Sequence, residues 1–218
     1  MTLHQFRHAT PLGRRTLLGF AAAGAALGLP RPGHSATMPE AALPIQQLDD
    51  ALLAAMKAGT GTPFAQRYAQ LDPVISQTFD LDAALRASVG LRWESFSPAQ
   101  KARLSEAFHR YTVSSYTANF DNYSGQTFRI DPDLRTAGAS VIVRSYVVPK
   151  DDSPKQLAYV MRQGPGGWKA FDVLEDGTIS RIAVQRSDFN MLLGTGGAPA
   201  LVAGLERKVN SLNGGMPA

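Results

Sequence analysis

The sequence predicts an α+β fold, in which an antiparallel sheet of about four to five strands is covered by helices on the N-terminal and C-terminal sides. Residues 44–122 carry apolar side chains at helical spacing, whereas residues 127–174 contain extended apolar runs separated by Gly and Pro. Two of these runs, 157–161 and 168–174, flank a Gly-Pro-Gly-Gly segment and predict a β-hairpin. Helices that precede the strands favour α+β over a doubly wound parallel sheet.

Capping residues divide the first half of the chain into helices. Pro44 begins a helix whose apolar residues recur at i, i+3 and i+4, and which closes at Gly59. Thr62 followed by a proline combines an N-cap with the residue preferred at the first helical position. Asp72 followed by a proline repeats this device, so we expect a new turn to start there.

Two further helices complete this half. Asp80 is an N-cap for a helix that ends at Gly90. Ser97 and Gln100 have the spacing of a capping box, with a proline between them at the first helical position. This box predicts the start of the longest helix, residues 98–122.

The strands follow in succession. Residues 127–130 and 140–148 predict two strands before the hairpin. Within 140–148, Val141 and Val143 alternate with Ile142 and Arg144, so one face is aliphatic and the other amphipathic. This alternation is typical of an antiparallel sheet that is covered on one face.

The chain then returns to helix. An Asp-Gly pair at 176–177 predicts a turn, and residues 179–184 predict an extended segment. Ser187 is the expected N-cap of a short helix, residues 188–193, that Gly194 ends. A last helix covers residues 199–212.

The N-terminal 36 residues have the features of an export signal. Arg14 and Arg15 resemble a twin-arginine signature and precede an apolar stretch, residues 17–29, that is shorter than the roughly 20 residues of a spanning helix. Small residues at 35 and 36 offer a cleavage region; an uncleaved anchor is the alternative. We therefore expect a soluble protein outside the cytoplasmic membrane, in which residues 1–36 are the signal and residues 37–218 form a single domain.

The charge balance argues against nucleic-acid binding. The chain has 22 basic and 18 acidic residues, but four arginines and no acidic residue precede residue 37. The remaining chain is neutral overall and has no long Lys/Arg cluster, so it lacks the positive surface that a phosphate backbone requires.

Motifs of catalysis and metal binding are missing from the sequence. There is no Cys, and His109 is the only histidine after residue 36, so an imidazole or thiolate metal site is not expected. HExxH, GxSxG and P-loop motifs are absent. These absences leave a carboxylate-only glycosidase or a Mg²⁺ site open, but the adjacent acidic pairs lie at a helix face or in turns and are typical of solvated residues. We predict no enzyme activity, no catalytic residue, no metal and no cofactor, and we interpret His109 as an exposed or capping residue.

Several single residues have two interpretations. Asp172 lies between apolar neighbours, so if it is buried it needs a partner, and Arg181 or Arg186 can supply one. Trp168 opens a strand after three small residues and suits either a cavity mouth or a core lid. Arg92-Trp93 suits a lipid head group or partner contact, or simple core packing for the tryptophan.

Three long segments carry a resemblance to a known family. They read FAQRYAQLDPVISQTFDL, VGLRWESFSPAQKARLSEAFHRYTVSSYTANFDNYSGQTF and YVMRQGPGGWKAFDVLEDGTISRIAVQRSDF. Together they resemble the MlaC toluene-tolerance family of periplasmic lipid carriers over residues 44–212, and residues 176–189 are most similar to the hopanoid-associated HpnM branch. The resemblance implies a twisted antiparallel sheet wrapped by helices around a deep apolar cavity. It also implies a monomeric shuttle, without catalytic residues, between an inner-membrane transport complex and an outer-membrane acceptor.

A site for lipid chains consists of apolar side chains, because burial of apolar area, about 25 cal/mol per Å², is what holds such a ligand. In a sequence this lining is indistinguishable from a core. The candidates are Tyr116, Phe120, Phe128, Val141, Val143, Tyr159, Met161, Phe171 and Val173. A shift of the hairpin by one residue would put the opposite set on the cavity face.

Taken with the family resemblance, the sequence predicts a periplasmic carrier of phospholipid or hopanoid whose residues 37–218 form a single lipid-binding domain. The alternatives are a transporter scaffold that binds no lipid and a hopanoid-modifying enzyme that uses Asp172 and a tyrosine. Asp172→Asn separates the last from a carrier, since turnover would collapse in an enzyme whereas a carrier would lose only stability.

Overall fold

The computed structural model describes residues 38–213 of the chain. The predicted export signal, residues 1–36, lies outside them, and the assignment of residues 37–218 to a single lipid-binding domain stays a prediction.

Within residues 38–213 the chain forms five helices and six strands. The helices are α1 (Leu43–Ala58), α2 (Phe64–Thr78), α3 (Leu81–Val89), α4 (Pro98–Asn119) and α5 (Arg181–Leu212), with 3₁₀ turns at Glu40–Ala42 and Gly90–Ser95. The strands are β1 (Thr127–Ile130), β2 (Arg135–Ala137), β3 (Ser140–Val148), β4 (Lys155–Gly164), β5 (Gly167–Glu175) and β6 (Ile179–Ser180). The predicted α+β class is confirmed.

All strand pairs are antiparallel, in the order β1-β3-β4-β5-β6, with β2 also paired to β3. Across the centre of the sheet, Val143 lies opposite Tyr159, which lies opposite Val173. The strand bounds predicted for β1 and β3 are confirmed, and the predicted hairpin is β4–β5. The sheet exceeds the predicted strand number because β2 and β6 are only three and two residues long and carry no apolar pattern.

A bulge in β5 changes which residues share a face. Asp172 lies opposite Val160 and Ala170 lies opposite Met161, so Phe171 has no cross-strand partner. A bulge inserts one residue and resets the alternation of the strand. Ala170 and Val173 consequently both pack against the core, although strict alternation had grouped Val173 with Phe171.

The local capping predictions hold for two helices. Asp80 accepts a hydrogen bond from the amide of Ala83 at 3.1 Å and caps α3. Ser97 and Gln100 form the predicted capping box at the start of α4: the Gln100 amide donates to Ser97 Oγ at 3.2 Å, and the Ser97 amide donates to Gln100 Oε1 at 2.9 Å. The helix ends at Asn119 instead of residue 122.

The turn predicted at Asp72 is wrong, because α2 runs through Pro73 without interruption. Leu71 and Ile75, on either side of this proline, are both fully buried. The packing of these side chains outweighs the hydrogen bond that a mid-helix proline removes. Thr62 is not the N-cap of α2 either, since its hydroxyl donates to the Ala58 carbonyl and the cap position is Pro63.

The start of α5 was also predicted wrongly. The extended segment predicted for residues 179–184 ends at Ser180, whose Oγ accepts from the amide of Ala183 at 3.1 Å and caps α5 in place of Ser187. The first segment of α5 ends at Gly196 and Gly197, close to the predicted Gly194, and Gly197 has φ 62°. A second helical segment, close to the predicted residues 199–212, follows to Leu212 and folds back on the first, since Lys208 pairs with Asp188.

The helices and the sheet pack around two hydrophobic cores. The first lies between α1, α2 and the inner face of the sheet and includes Ile45, Leu48, Leu52, Ile75, Val143, Tyr159 and Met161. The second lies between α3, α4 and α5 and includes Leu85, Trp93, Leu104, Phe108, Phe189, Leu201 and Leu205. Helix α4 contributes to both, through Val113 in the first and Phe108 in the second.

One carboxylate is buried in the first core. Asp49 of α1 is 1% exposed, and its Oδ2 accepts a hydrogen bond from the Ser145 hydroxyl of β3 at 2.7 Å. Its Oδ1 has no partner among the described residues. Burial raises the pKa of Asp49 from 3.8 to about 7; the Ser145 hydrogen bond lowers it and the charge of Asp50 raises it by smaller amounts.

Asp49→Asn should remove a pH dependence of folding. The pKa is higher in the folded chain than in the unfolded chain, so folding takes up a proton between pH 4 and 7. The contribution of Asp49 to stability is therefore present below about pH 4 and lost as pH rises to about 7, at roughly 1.4 kcal/mol per unit of pKa difference. Urea unfolding at pH 4, 5.5 and 8 should show that Asp49→Asn is stabilised relative to the wild type most at pH 8.

The matched control is Glu106→Gln, since Glu106 is an exposed carboxylate of α4 and is not among the groups that shift the pKa of Asp49. Its difference from the wild type should vary little with pH. If both variants changed equally with pH, the burial of Asp49 would not be the cause.

Candidate functional site

An apolar cavity of about 280 Å³ opens between the two cores. Its walls come from the end of α2, from α3 and α4, from β4 and β5, and from the first turns of α5. The apolar lining residues are Phe79, Leu81, Ala84, Phe108, Tyr111, Tyr116, Phe120, Leu157, Phe171, Val173 and Ile182. The volume is close to the lower end of the range for ligand pockets, roughly 300–1,000 Å³.

A row of aromatic rings forms one wall and extends into the sheet. Phe79 lies 5.6 Å from Tyr116 between ring centroids, and Tyr116 stacks on Phe120 at 5.9 Å. The row continues to Tyr159 on one side of Phe79, at 6.3 Å, and to Phe128 beyond Phe120, at 6.2 Å. Aromatic pairs at these distances attract one another, so the row holds the wall together where the cavity interrupts the packing.

The end of α2 is tied to the sheet beside this wall. The amide of Asp80 donates to the Ala170 carbonyl of β5 at 2.9 Å, and Phe79 forms an isolated bridge with the same residue. This backbone contact places Phe79 over the sheet and lets α3 turn away toward the second core. Leu81 and Ala84 of α3 line the cavity next to Phe79.

An exposed ion pair lies at the rim of the cavity. Glu175, at the end of β5, accepts from Arg181 Nη1 of α5 at 2.8 Å, and the two side chains are 47% and 39% exposed. The lining residues Asp172, Gln185 and Asn119 add further polar groups. The exposure of the ion pair identifies it as part of the solvent-facing rim.

Asp172 is a structural residue of the α5 N-terminus. Its Oδ1 accepts from the amides of Val173 and Ile182, and its Oδ2 accepts from the Ser180 hydroxyl at 2.5 Å. The predicted partners Arg181 and Arg186 are wrong, because Arg181 pairs with Glu175 and Arg186 donates to the Ala87 carbonyl. A carboxylate at the positive end of a helix dipole needs no arginine.

The tyrosines of the aromatic row remain neutral at physiological pH. Burial raises the pKa of Tyr116, although the positive charge of Arg181 opposes this effect. Burial raises the pKa of Tyr159 as well, and its hydroxyl has no hydrogen-bond partner among residues 38–213. Both rings therefore contribute apolar area and an uncharged hydroxyl.

A second, larger depression is less suited to an apolar ligand. It has a volume of about 700 Å³, is more open, and is lined by α1, α2 and the hairpin turn, including Glu40, Gln47, Gln77, Trp168 and Lys169. Because this groove is more open and its lining more polar, it would bury less of an apolar molecule than the smaller cavity does. The smaller cavity is therefore the candidate site.

Comparison with known proteins agrees with this architecture. The profile of the family described as MlaC protein matches residues 46–207, most of the chain. The chain belongs to the MlaC family. A solved structure of a phospholipid-binding protein from Ralstonia solanacearum, in complex with a phospholipid, matches this MlaC protein with a TM-score of 0.69 and 23% sequence identity. The match covers 80% of this chain and 99% of the other, and it shows a common fold.

Four of the nine residues predicted to bind lipid line the cavity of the MlaC protein: Tyr116, Phe120, Phe171 and Val173. The other five lie outside its walls. Val143, Tyr159 and Met161 are fully buried in the first core, and Phe128 and Val141 are partly buried against it. Whether any of the nine contacts lipid stays a prediction.

The sequence analysis missed the walls that α3 and α5 contribute. Leu81 and Ala84 belong to a helix that was predicted correctly, but nothing in its pattern distinguishes a cavity wall from a core. Ile182 was assigned to a strand and so to the wrong neighbours. Phe108, Tyr111 and Ser115 recur at helical spacing within the longest predicted helix, next to the candidate Tyr116, and this spacing is the signal that could have identified the α4 wall.

The remaining candidates lie away from the cavity. Trp93 is buried in the second core and packs on Phe96, while Arg92 donates to the Leu193 carbonyl, which supports the core interpretation. Trp168 lines the open groove and not the cavity mouth. His109 lies 2.9 Å from Asp72 on the surface of α4, with Ser76 at 3.0 Å.

None of the helices within residues 38–213 combines the length and the apolar composition that crossing a membrane requires.

Asp172→Asn should destabilise the fold without abolishing it. The amide keeps one acceptor but cannot accept the Ser180 hydroxyl proton at its nitrogen, and the negative charge at the α5 N-terminus is lost. We expect the free energy of unfolding to fall by about 1–3 kcal/mol, measured by urea denaturation. Asp188→Asn, which breaks an exposed ion pair with Lys208 on the same helix, is the control and should change stability little. Equal effects of the two variants would contradict the capping role of Asp172.

Proposed function

We propose that this MlaC protein is a lipid carrier that holds the apolar part of one lipid in the cavity between its two cores. The observation that carries the proposal is the combination of a mainly aromatic and aliphatic lining with a partly exposed ion pair at the rim. A lipid has the same distribution of polarity, with apolar chains and a polar head group.

The driving force for binding is the removal of apolar surface from water. Each methylene group that becomes buried contributes about 0.8 kcal/mol, and no directional contact is needed along an acyl chain. The aromatic wall formed by Phe79, Tyr116 and Phe120 suits this role, because its rings present large apolar faces.

Entry of a whole lipid requires the cavity to widen. About 280 Å³ is small for a molecule with two acyl chains, so we propose that loading moves α3 and the part of α5 beyond its first turn away from the sheet, while the α5 N-terminus stays bonded to Asp172 and Glu175. These elements belong to the second core, whereas the sheet belongs to the first. Opening the structure between the two cores separates side chains that pack in different cores, so we expect it to require less free energy than opening within either core.

The comparisons support lipid as the cargo, since the family is MlaC and the matching fold belongs to a phospholipid-binding protein. We further propose that the protein works in the periplasm and moves phospholipid or a hopanoid between an inner-membrane transport complex and an outer-membrane acceptor. The hopanoid cargo rests on the resemblance of residues 176–189 to HpnM, and the export route on the twin-arginine pattern of residues 14–15.

Extraction of the purified protein tests the cargo directly. We expect solvent extraction and mass spectrometry of protein isolated from its own periplasm to yield about one lipid per chain, as one cavity would hold. Ala84→Trp, which fills the cavity from α3, should lower this amount to about one tenth or less, because the indole occupies the space of the ligand. Thr112→Trp fills the cavity from α4 instead, and it should lower the amount of bound lipid to the same extent.

The control is Ala54→Trp, since Ala54 is exposed on α1 and does not line the cavity. It should retain the wild-type amount of lipid. A phospholipid or a hopanoid in the extract decides between the two cargoes. Absence of lipid from several preparations, with no uptake from vesicles, would reject the carrier and favour a transporter scaffold.

A further inference from the structure

The rim of the cavity carries an ion pair with unused bonding capacity. Arg181 bonds Glu175 through Nη1 alone, so among residues 38–213 its Nε and Nη2 and the Oε2 of Glu175 have no protein partner. Both residues line the cavity, and both are partly exposed. An exposed ion pair of this kind contributes little to stability, so its two members are free to rearrange toward a ligand.

The neighbouring charges restrict which ligand fits. Asp172 is the other charged lining residue, and both of its oxygens are used by the α5 N-terminus. The guanidinium of Arg162 lies 3.5 Å from the centroid of the lining ring Phe171 and is stacked on it. Arg181 is thus the lining cation, and Glu175 is the lining anion with a free oxygen.

We propose that Arg181 and Glu175 form a head-group site for a zwitterionic phospholipid, with the phosphate on Arg181 and the ammonium beside Glu175. The proposal rests on the carrier function above and names the class of lipid that the cavity prefers. In this arrangement each of the four charges has two opposite charges as neighbours, so the protein ion pair persists while the head group adds to it.

An anionic head group fits the same rim less well. Its phosphate would also meet Arg181, but it brings no cation for Glu175, and the two lining carboxylates, Asp172 and Glu175, exceed the one lining cation. Repulsion between like charges at a partly desolvated rim lowers affinity. A neutral diacylglycerol gains nothing from either residue.

A lipid-competition experiment tests the site. The delipidated protein is incubated with vesicles that contain equal amounts of phosphatidylethanolamine, phosphatidylglycerol and diacylglycerol with identical acyl chains, and the bound lipids are then measured by mass spectrometry. We expect the wild-type protein to take up about three- to tenfold more phosphatidylethanolamine than phosphatidylglycerol, the effect of a few charge-assisted contacts at an exposed rim.

Three variants separate the roles of Glu175 and Arg181. Glu175→Gln should abolish the preference by raising phosphatidylglycerol uptake, because the repulsion is gone. Arg181→Gln should lower the uptake of both phospholipids relative to diacylglycerol, whereas Arg181→Lys, which keeps the charge, should restore the wild-type order. The controls are Lys208→Gln and Asp188→Asn, which break a comparable exposed pair on α5 that does not line the cavity.

The outcomes distinguish this site from the carrier function. Uptake of all three lipids in equal amounts, or a preference that Glu175→Gln leaves unchanged, would overturn the head-group site and leave the carrier intact. Uptake of none of the three would overturn both.

Discussion

Helix α4 connects two hydrophobic cores, and the candidate site depends on this shared membership. Its first half packs Leu104 and Phe108 against α3 and α5, and its second half packs Val113 against α1, α2 and the sheet. Where α4 passes from one core to the other, its residues Tyr111, Thr112, Ser115 and Tyr116 face a gap in the packing, and this gap is the cavity.

The polar groups of the chain are distributed so that this gap stays mostly apolar. The buried carboxylate Asp49 bonds Ser145 inside the first core, and the carboxylate Asp172 serves the N-terminus of α5. The ion pair of Glu175 and Arg181 remains at the rim. Burial of an unpaired charge is costly, so each charged group has an intramolecular partner or contact with solvent. The rest of the cavity lining is mainly aromatic and aliphatic, with the hydroxyls of Thr112 and Ser115 on α4.

Local signals in the sequence were sufficient wherever a feature depends on a few neighbouring residues. The capping box at Ser97 and the cap at Asp80 form because the hydrogen-bond partners lie three residues away. The hairpin was predictable for the same reason, since its turn is bounded by Gly164 and Gly167. Long helical periodicity and strand alternation then determined the α+β class.

The same signals failed wherever distant residues decide the outcome. The proline after Asp72 resembles a helix start, yet α2 continues because Leu71 and Ile75 are held in the first core. Ser180 caps α5 rather than Ser187 because Asp172, eight residues earlier on β5, binds the new N-terminus. The spacing of residues near the helix start predicts neither contact.

The sequence by itself determined the order of helices and strands, the neutral charge of the chain after its N-terminal segment, and a set of apolar side chains large enough for both a core and a lipid site. Only the tertiary structure decided which of these side chains face empty space. Phe171 lines the cavity and Met161 does not, because of a bulge in β5 and the position at which α4 passes from one core to the other. Apolar side chains in a core and in a cavity wall obey the same rule of burial, so only their arrangement in space distinguishes them.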